Sequence, residues 1–154
     1  MTEERNCAVA GLLKNPSGDE HYYNNLFTQR ADLSVYDKAA LPVFMKDNVF
    51  LGGAKPSKHE ARPHVVPDLE PGLALTEQAD GWHLALALAP AQPCQLITTA
   101  ALGKAKLSDQ LYENTDGSPL KIDYDYFGQP RDTTNPTPGP FEKPGSGTLK
   151  LKVW

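Results

Sequence analysis

The chain reads as an all-β protein, with an antiparallel β-sandwich in its second half and shorter, less regular strands before it. Three observations lead there. Fourteen prolines and twelve glycines make up about a sixth of the 154 residues, which favours strands joined by stiff loops over a helical bundle. Asp80-Gly81 stands between two alternating apolar runs. The chain closes on Thr148-Leu-Lys-Leu-Lys-Val-Trp154, a period-two pattern with a charged outer face.

In chain order, Cys7 to Leu13 is a short apolar run, followed by strong turn chemistry at Asn15-Pro16-Ser17-Gly18. His21 to Phe27 reads as a strand. Ser34 to Leu41 has room for one helical turn, with Ser34 as its N-cap and Pro42 ending it. Val43 to Leu51 reads as a strand interrupted at Asp47-Asn48 and closed by Gly52-Gly53. Residues 1–53 therefore form a first unit. Ala54 to Gly72 has four prolines and little periodicity, so a linker or covering loop is expected there.

Residues 73–154 form the expected sandwich. Leu73 to Glu77 and Trp82 to Ala89 flank the Asp80-Gly81 turn and predict a β-hairpin. Leu84, Leu86 and Leu88 share one face, and Ala85, Ala87 and Ala89 share the other. Gln95 to Leu102 is a further strand candidate. Asp116-Gly117 marks a turn before a strand from Leu120 to Phe127. In the last strand Leu149, Leu151 and Val153 face one way, while Lys150, Lys152 and Trp154 face the other.

Composition bounds the function. A net charge of −4, with Lys and Arg scattered, leaves no electrostatic footprint for nucleic acid or an anionic membrane. No apolar stretch approaches the roughly 20 residues that span a bilayer. The N-terminus, Met-Thr-Glu-Glu-Arg-Asn, lacks an apolar signal core, so export is expected only if the chain belongs to a larger exported protein. Cys7 and Cys94 are 87 positions apart and carry no metal or disulfide pattern; two buried free thiols are expected. His59, His64, Glu60, Asp68 and Glu70 lack zinc or calcium spacing. There is no Gly-x-Ser-x-Gly elbow and no phosphate or dinucleotide fingerprint. No cofactor or metal is implied.

The remaining signals suit sugar chemistry, in which a ring face stacks on a pyranose and carboxylates take its hydroxyls. Asp123 and Asp125 sit at i, i+2 on the expected strand, sharing a face with side chains roughly 7 Å apart. That suits an inverting glycosidase, whose carboxyls lie roughly 6.5–9.5 Å apart, against about 5 Å for a retaining one. Tyr124 and Tyr126 would then face the core with Ile122. Two solvated acids on an outer face fit the same pattern. Asp19-Glu20-His21 at a loop-to-strand junction offers an alternative acid, base and tuner, or simply a turn acid beside a surface histidine. Trp82, Trp154, Tyr112 and His21 are the candidate sugar contacts.

Three segments carry a family resemblance. Asn15-Pro-Ser-Gly-Asp-Glu-His-Tyr-Tyr-Asn-Asn-Leu-Phe27 resembles the last coils of right-handed parallel β-helix proteins. Asp47-Asn-Val-Phe-Leu51 resembles another such rung. Asp125-Tyr-Phe-Gly-Gln-Pro-Arg131 with Pro136-Thr-Pro-Gly-Pro-Phe-Glu142 is similar to their closing segment. The set resembles the C-terminal part of bacterial carbohydrate-active β-helix enzymes of glycoside hydrolase and polysaccharide lyase type. The resemblance implies β-helix-like strands in residues 1–53, glycoside hydrolysis without cofactor, and an oligo- or polysaccharide partner. It departs from the pattern in having room for only two or three coils. The alternatives are a non-catalytic glycan-binding or β-helix-capping module, and self-association through exposed strand edges.

Overall fold

The structure is a computed structural model that describes residues 18–90 and 92–154. The apolar run at 7–13, Cys7 and the turn residues 15–17 lie outside the described residues. The fold is all-β, with two short helical turns. No helix among the described residues is long and apolar enough to cross a membrane.

The first half is a stack of parallel coils. Strand β1 (Glu20–Tyr23) pairs in parallel with β3 (Val43–Lys46), and β2 (Leu26–Thr28) pairs with β4 (Val49–Leu51). Both pairings run 23 residues apart, Glu20 on Val43 and Leu26 on Val49. Each coil thus contributes one strand to each of two sheets. Inside lie Leu33, Val43, Met45, Phe50 and Ala54, with Tyr22, Phe27 and Tyr36 packed against them. Phe27 stacks on Phe50 at 5.3 Å between ring centroids, so equivalent aromatics of successive coils meet in the interior.

The interior is partly polar. Asn48 is fully buried, and every polar group of its side chain is used. Its Oδ1 accepts from the Asn25 backbone and side-chain amides, and its Nδ2 donates to the Tyr22 carbonyl and to Glu60. Equivalent asparagines of two coils thereby lock the turns together. Burial pushes the Glu60 carboxyl up, against the lowering contributed by its bonds to Asn48.

Two expectations for this half change. The helical turn is a 3-10 turn over Leu33–Lys38, and its cap is Asp32, whose carboxylate accepts from the Ser34 amide. Asp reaches the free amide two residues on, so Ser34 is the capped residue and not the cap. Residues 54–72 are not simply a linker. Met45 bridges to Glu60, and β5 (His64–Val66) pairs in parallel with β4, adding a third coil. That coil returns after 15 residues instead of 23, Val49 pairing with His64.

The second half is antiparallel. Strands β6 (Ala74–Gln78) and β7 (Gly81–Leu88) form the expected hairpin, and the last strand (Gly147–Lys152) pairs with β7 on its other side. Leu84 and Leu86 align with Leu151 and Leu149, giving the apolar face that alternation predicts, and Leu86 is buried. Gly81 opens β7 at φ +128°, and a Cβ there would collide with the Trp154 carbonyl. Between these elements an arm projects over the coil stack. Its strands are β8 (Ile97–Thr98) and β9 (Lys121–Ile122), and α1 (Thr99–Leu102) follows β8. The last strand is therefore β10.

The strand expected from Leu120 to Phe127 stops at Ile122. Beyond it the Asp125 carboxylate accepts from the amides of Phe127, Gln129 and Glu142 and turns the chain. Ile122, Tyr124 and Tyr126 are consequently exposed and do not face a core.

Candidate functional site at the corner of the coil stack

The two stacked turns between the sheets form one corner of the coils. Asn24 and Asp47, one coil apart, both adopt left-handed backbone (φ 59° and 61°). Asn and Asp tolerate that conformation best among side-chain-bearing residues. With the turns bent this way, Asn25 and Asn48 point inward to make the ladder described above. Asp47 is itself buried and is clamped by Arg62 of the third coil, whose Nη2 donates to Oδ2 at 2.6 Å. The ion pair is bidentate, with Nε on Oδ1 at 2.5 Å.

Gln95 binds the covering chain to this corner from three directions. Its amide donates to Asp47 Oδ2 at 3.2 Å, its carbonyl accepts from Asn24 Nδ2 at 2.7 Å, and its Oε1 accepts from Lys46 Nζ at 2.8 Å. Beside it lies a cavity of about 120 Å³ lined by Tyr23, Asn24, Lys46, Asp47, Gln95, Ile97 and Ala101. That is about four water volumes, at about 30 Å³ each. It combines one aromatic ring, two charged groups and two amide side chains. Asn24 Oδ1 is buried with no hydrogen-bond partner among the described residues. A smaller cavity of about 70 Å³ lies across Asp47, against Arg62, His64 and Cys94. Burial pushes the Cys94 thiol up to about 12, and its Sγ donates to the Pro136 carbonyl, so it is a protonated packing group.

Around Tyr23 the structure gathers four residues singled out in the sequence. His21 stacks on Phe44 at 4.6 Å and meets Tyr112 of the arm edge-on at 5.1 Å and Tyr23 at 5.6 Å. Both His21 ring nitrogens are buried without a hydrogen-bond partner among the described residues. Asp19 accepts from the amides of Lys106 and Leu107, so it fastens the arm. Burial raises the Tyr112 pKa, with Asp19 adding to the rise, and the Tyr112 carbonyl accepts from Thr99 Oγ1 at 2.5 Å. Glu20 pairs with Val43 in the register and shares its inward side; its Oε2 is buried and has no partner among the described residues.

The other candidates lie apart. Asp123 is ion-paired with Lys121 at 3.0 Å, and its carbonyl accepts from the Arg131 amide. Burial disfavours the charged form of Asp125, yet the amides of Glu142, Gln129 and Phe127 outweigh it and hold the carboxyl below its ordinary range. These two acids therefore do separate structural work and do not share a strand face. Trp82 exchanges backbone hydrogen bonds with the last two residues, and Trp154 is 85% exposed at the chain end.

Sequence reading missed Tyr23, Asn24, Lys46, Asp47 and Gln95 as a set. The available signal was the pair Asn24-Asn25 and Asp47-Asn48, each before an apolar-Phe dipeptide and 23 residues apart. Nothing local marked Gln95. No group of three or more His, Cys, Asp or Glu among the described residues is placed to hold a metal ion.

No family model matches the chain. No curated protein matches it either. Among solved structures it is similar to one described as the complex of XylC with xylose, at 25% sequence identity and a TM-score of 0.79. The match covers 89% of this chain and 26% of that one, so the chain spans about a quarter of the length of the structure it resembles.

Proposed function

We propose that this chain is part of the carbohydrate-active repertoire and that its corner pocket binds one pyranose of the xylose type. The observation that carries the reading is the pocket itself: the Tyr23 ring supplies a wall, and Asn24, Lys46, Asp47 and Gln95 supply donors and acceptors around it. A sugar needs both, an apolar platform for its C–H face and polar groups for its hydroxyls. The likeness to a xylose-bound structure supports the same ligand class. It also supports reading the parallel coils as a short stretch of β-helix.

Glycoside hydrolysis is the finer reading. It needs two carboxyl groups on opposite sides of the scissile bond. Asp47 is the carboxylate in the pocket wall, and the other lining residues carry none. Binding is therefore the activity that these side chains support most directly, with hydrolysis requiring a second acid at the pocket mouth.

Titration calorimetry with xylose tests binding. The native chain is expected to bind, and Tyr23→Ala to weaken binding about tenfold, the equivalent of about 1.4 kcal/mol. Absence of binding, or binding indifferent to Tyr23, contradicts the proposal. Turnover of an aryl xyloside that disappears in Asp47→Asn would extend it to hydrolysis.

A further inference from the structure

The His21 cage sits between two elements that build the pocket. Tyr23, which His21 touches edge-on, is the aromatic wall. The arm, which His21 touches through Tyr112, contributes Ile97 and Ala101. Thr99 ties these together: its Oγ1 donates to the Tyr112 carbonyl and accepts from the Leu120 amide, so the cage is bonded to the base of α1. We propose that His21 is a positioning residue and a pH latch: while neutral it holds Tyr23 and the arm around the pocket, and its protonation releases them. This rests on the saccharide-binding reading of that pocket.

The groups around the ring decide which protonation state the closed arrangement prefers. On its own strand it faces Tyr23, with Asp19 just before the strand; β3 contributes Phe44 and, opposite Tyr23, Lys46; the arm contributes Tyr112. The Asp19 carboxylate favours a charged ring, as does the face of Phe44. Asp19, however, is already occupied by the Lys106 and Leu107 amides. Against these stand two buried nitrogens that find no hydrogen-bond partner among the described residues. A neutral imidazole leaves one N–H unsatisfied there, and an imidazolium leaves two and adds a charge. Burial prevails over Asp19, and the His21 pKa lies below its ordinary 6.5.

The direction of the pH effect follows. When the cage opens, His21 regains an ordinary pKa and takes up a proton that the closed form excludes. Closure is at full strength above 6.5 and weakens as pH falls below it, until the closed form titrates as well. Sugar affinity should fall over the same interval.

The test compares native chain and His21→Phe by xylose titration at pH 7.5 and pH 5.0. Phenylalanine keeps the aromatic packing and removes the titration. The expected result is a loss of affinity in the native chain, at most about tenfold for each pH unit by which the closed form depresses the pKa, and a flat response in His21→Phe. Equal falls in both proteins, or none in either, would overturn the latch. Amide hydrogen exchange at Thr99 to Leu102 is read on the same samples without sugar. Faster exchange of the native arm at pH 5.0, after correction for intrinsic rates, supports the latch even if xylose fails to bind, a failure that would fall on the pocket assignment alone. Unchanged protection overturns it. If His21→Phe does not fold, the His21 ring titration followed by NMR in the native chain decides: a midpoint below 6.5 that drops further with saturating xylose supports the latch, and an ordinary midpoint overturns it.

Discussion

The coil stack and the antiparallel half are held together by different means. Of the buried apolar side chains, Leu33, Val43, Met45, Val49, Phe50, Leu51 and Ala54 all fall in the stack, while Leu86, Cys94 and Phe141 fall outside it. The stack is stabilised by long-range burial and by one interior polar network centred on Asn48. The second half relies on local carboxylate-capped turns: Asp116 on Ser118, Asp125 on Phe127 and Gln129, Asp132 on Thr134 and Asn135. Such turns set chain direction with few buried contacts. The coil stack therefore supplies the floor of the corner pocket through Tyr23, Asn24, Lys46 and Asp47, and the second half supplies its cover through Gln95, Ile97 and Ala101.

Substitutions separate the two halves. The largest loss is expected for Phe50→Ala, which empties a fully buried site against Phe27 and should cost about 3–5 kcal/mol in denaturant unfolding. A loss under about 1 kcal/mol would mean that the stack is not the core. Asn48→Ala should cost on the order of 2–3 kcal/mol, because it takes a hydrogen-bond partner from the Tyr22 carbonyl, the Asn25 amide and Glu60 Oε2. In the second half Asp125→Ala should cost only about 1.5 kcal/mol, since water can replace the carboxylate at half-exposed amides. Trp154→Ala should fall within about 0.5 kcal/mol of the native chain. Equal costs across the halves would dissolve the distinction between them.

The same division governs how much could be read from sequence. Alternation is local, so the hairpin around Asp80-Gly81 and the face formed by Leu149 and Leu151 were legible in the residues themselves. The parallel stack was visible only in the family resemblance of Tyr23-Asn-Asn-Leu-Phe27 and Asp47-Asn-Val-Phe50. Its third coil was hidden because it returns after 15 residues and carries Arg62-Pro63 where the others carry Asn24-Asn25 and Asp47-Asn48. At Asp123 and Asp125 local reading misled. Alternation of acids and aromatics looks like a strand, but a carboxylate followed by Gly128 two residues beyond Tyr126 makes a turn that satisfies its own amides. His21 and Tyr112 were singled out as sugar contacts, and the fold brings them to each other instead. Gln95 became visible only when chain segments 48 and 71 residues away met it.

Diffraction from crystals of the chain soaked in xylose tests the pocket most directly. The predicted result is a sugar ring against Tyr23, with hydroxyls within hydrogen-bond reach of Lys46, Asp47 or Gln95. A ring settled instead on Trp82 or Trp154, or an empty corner at saturating sugar, would contradict it.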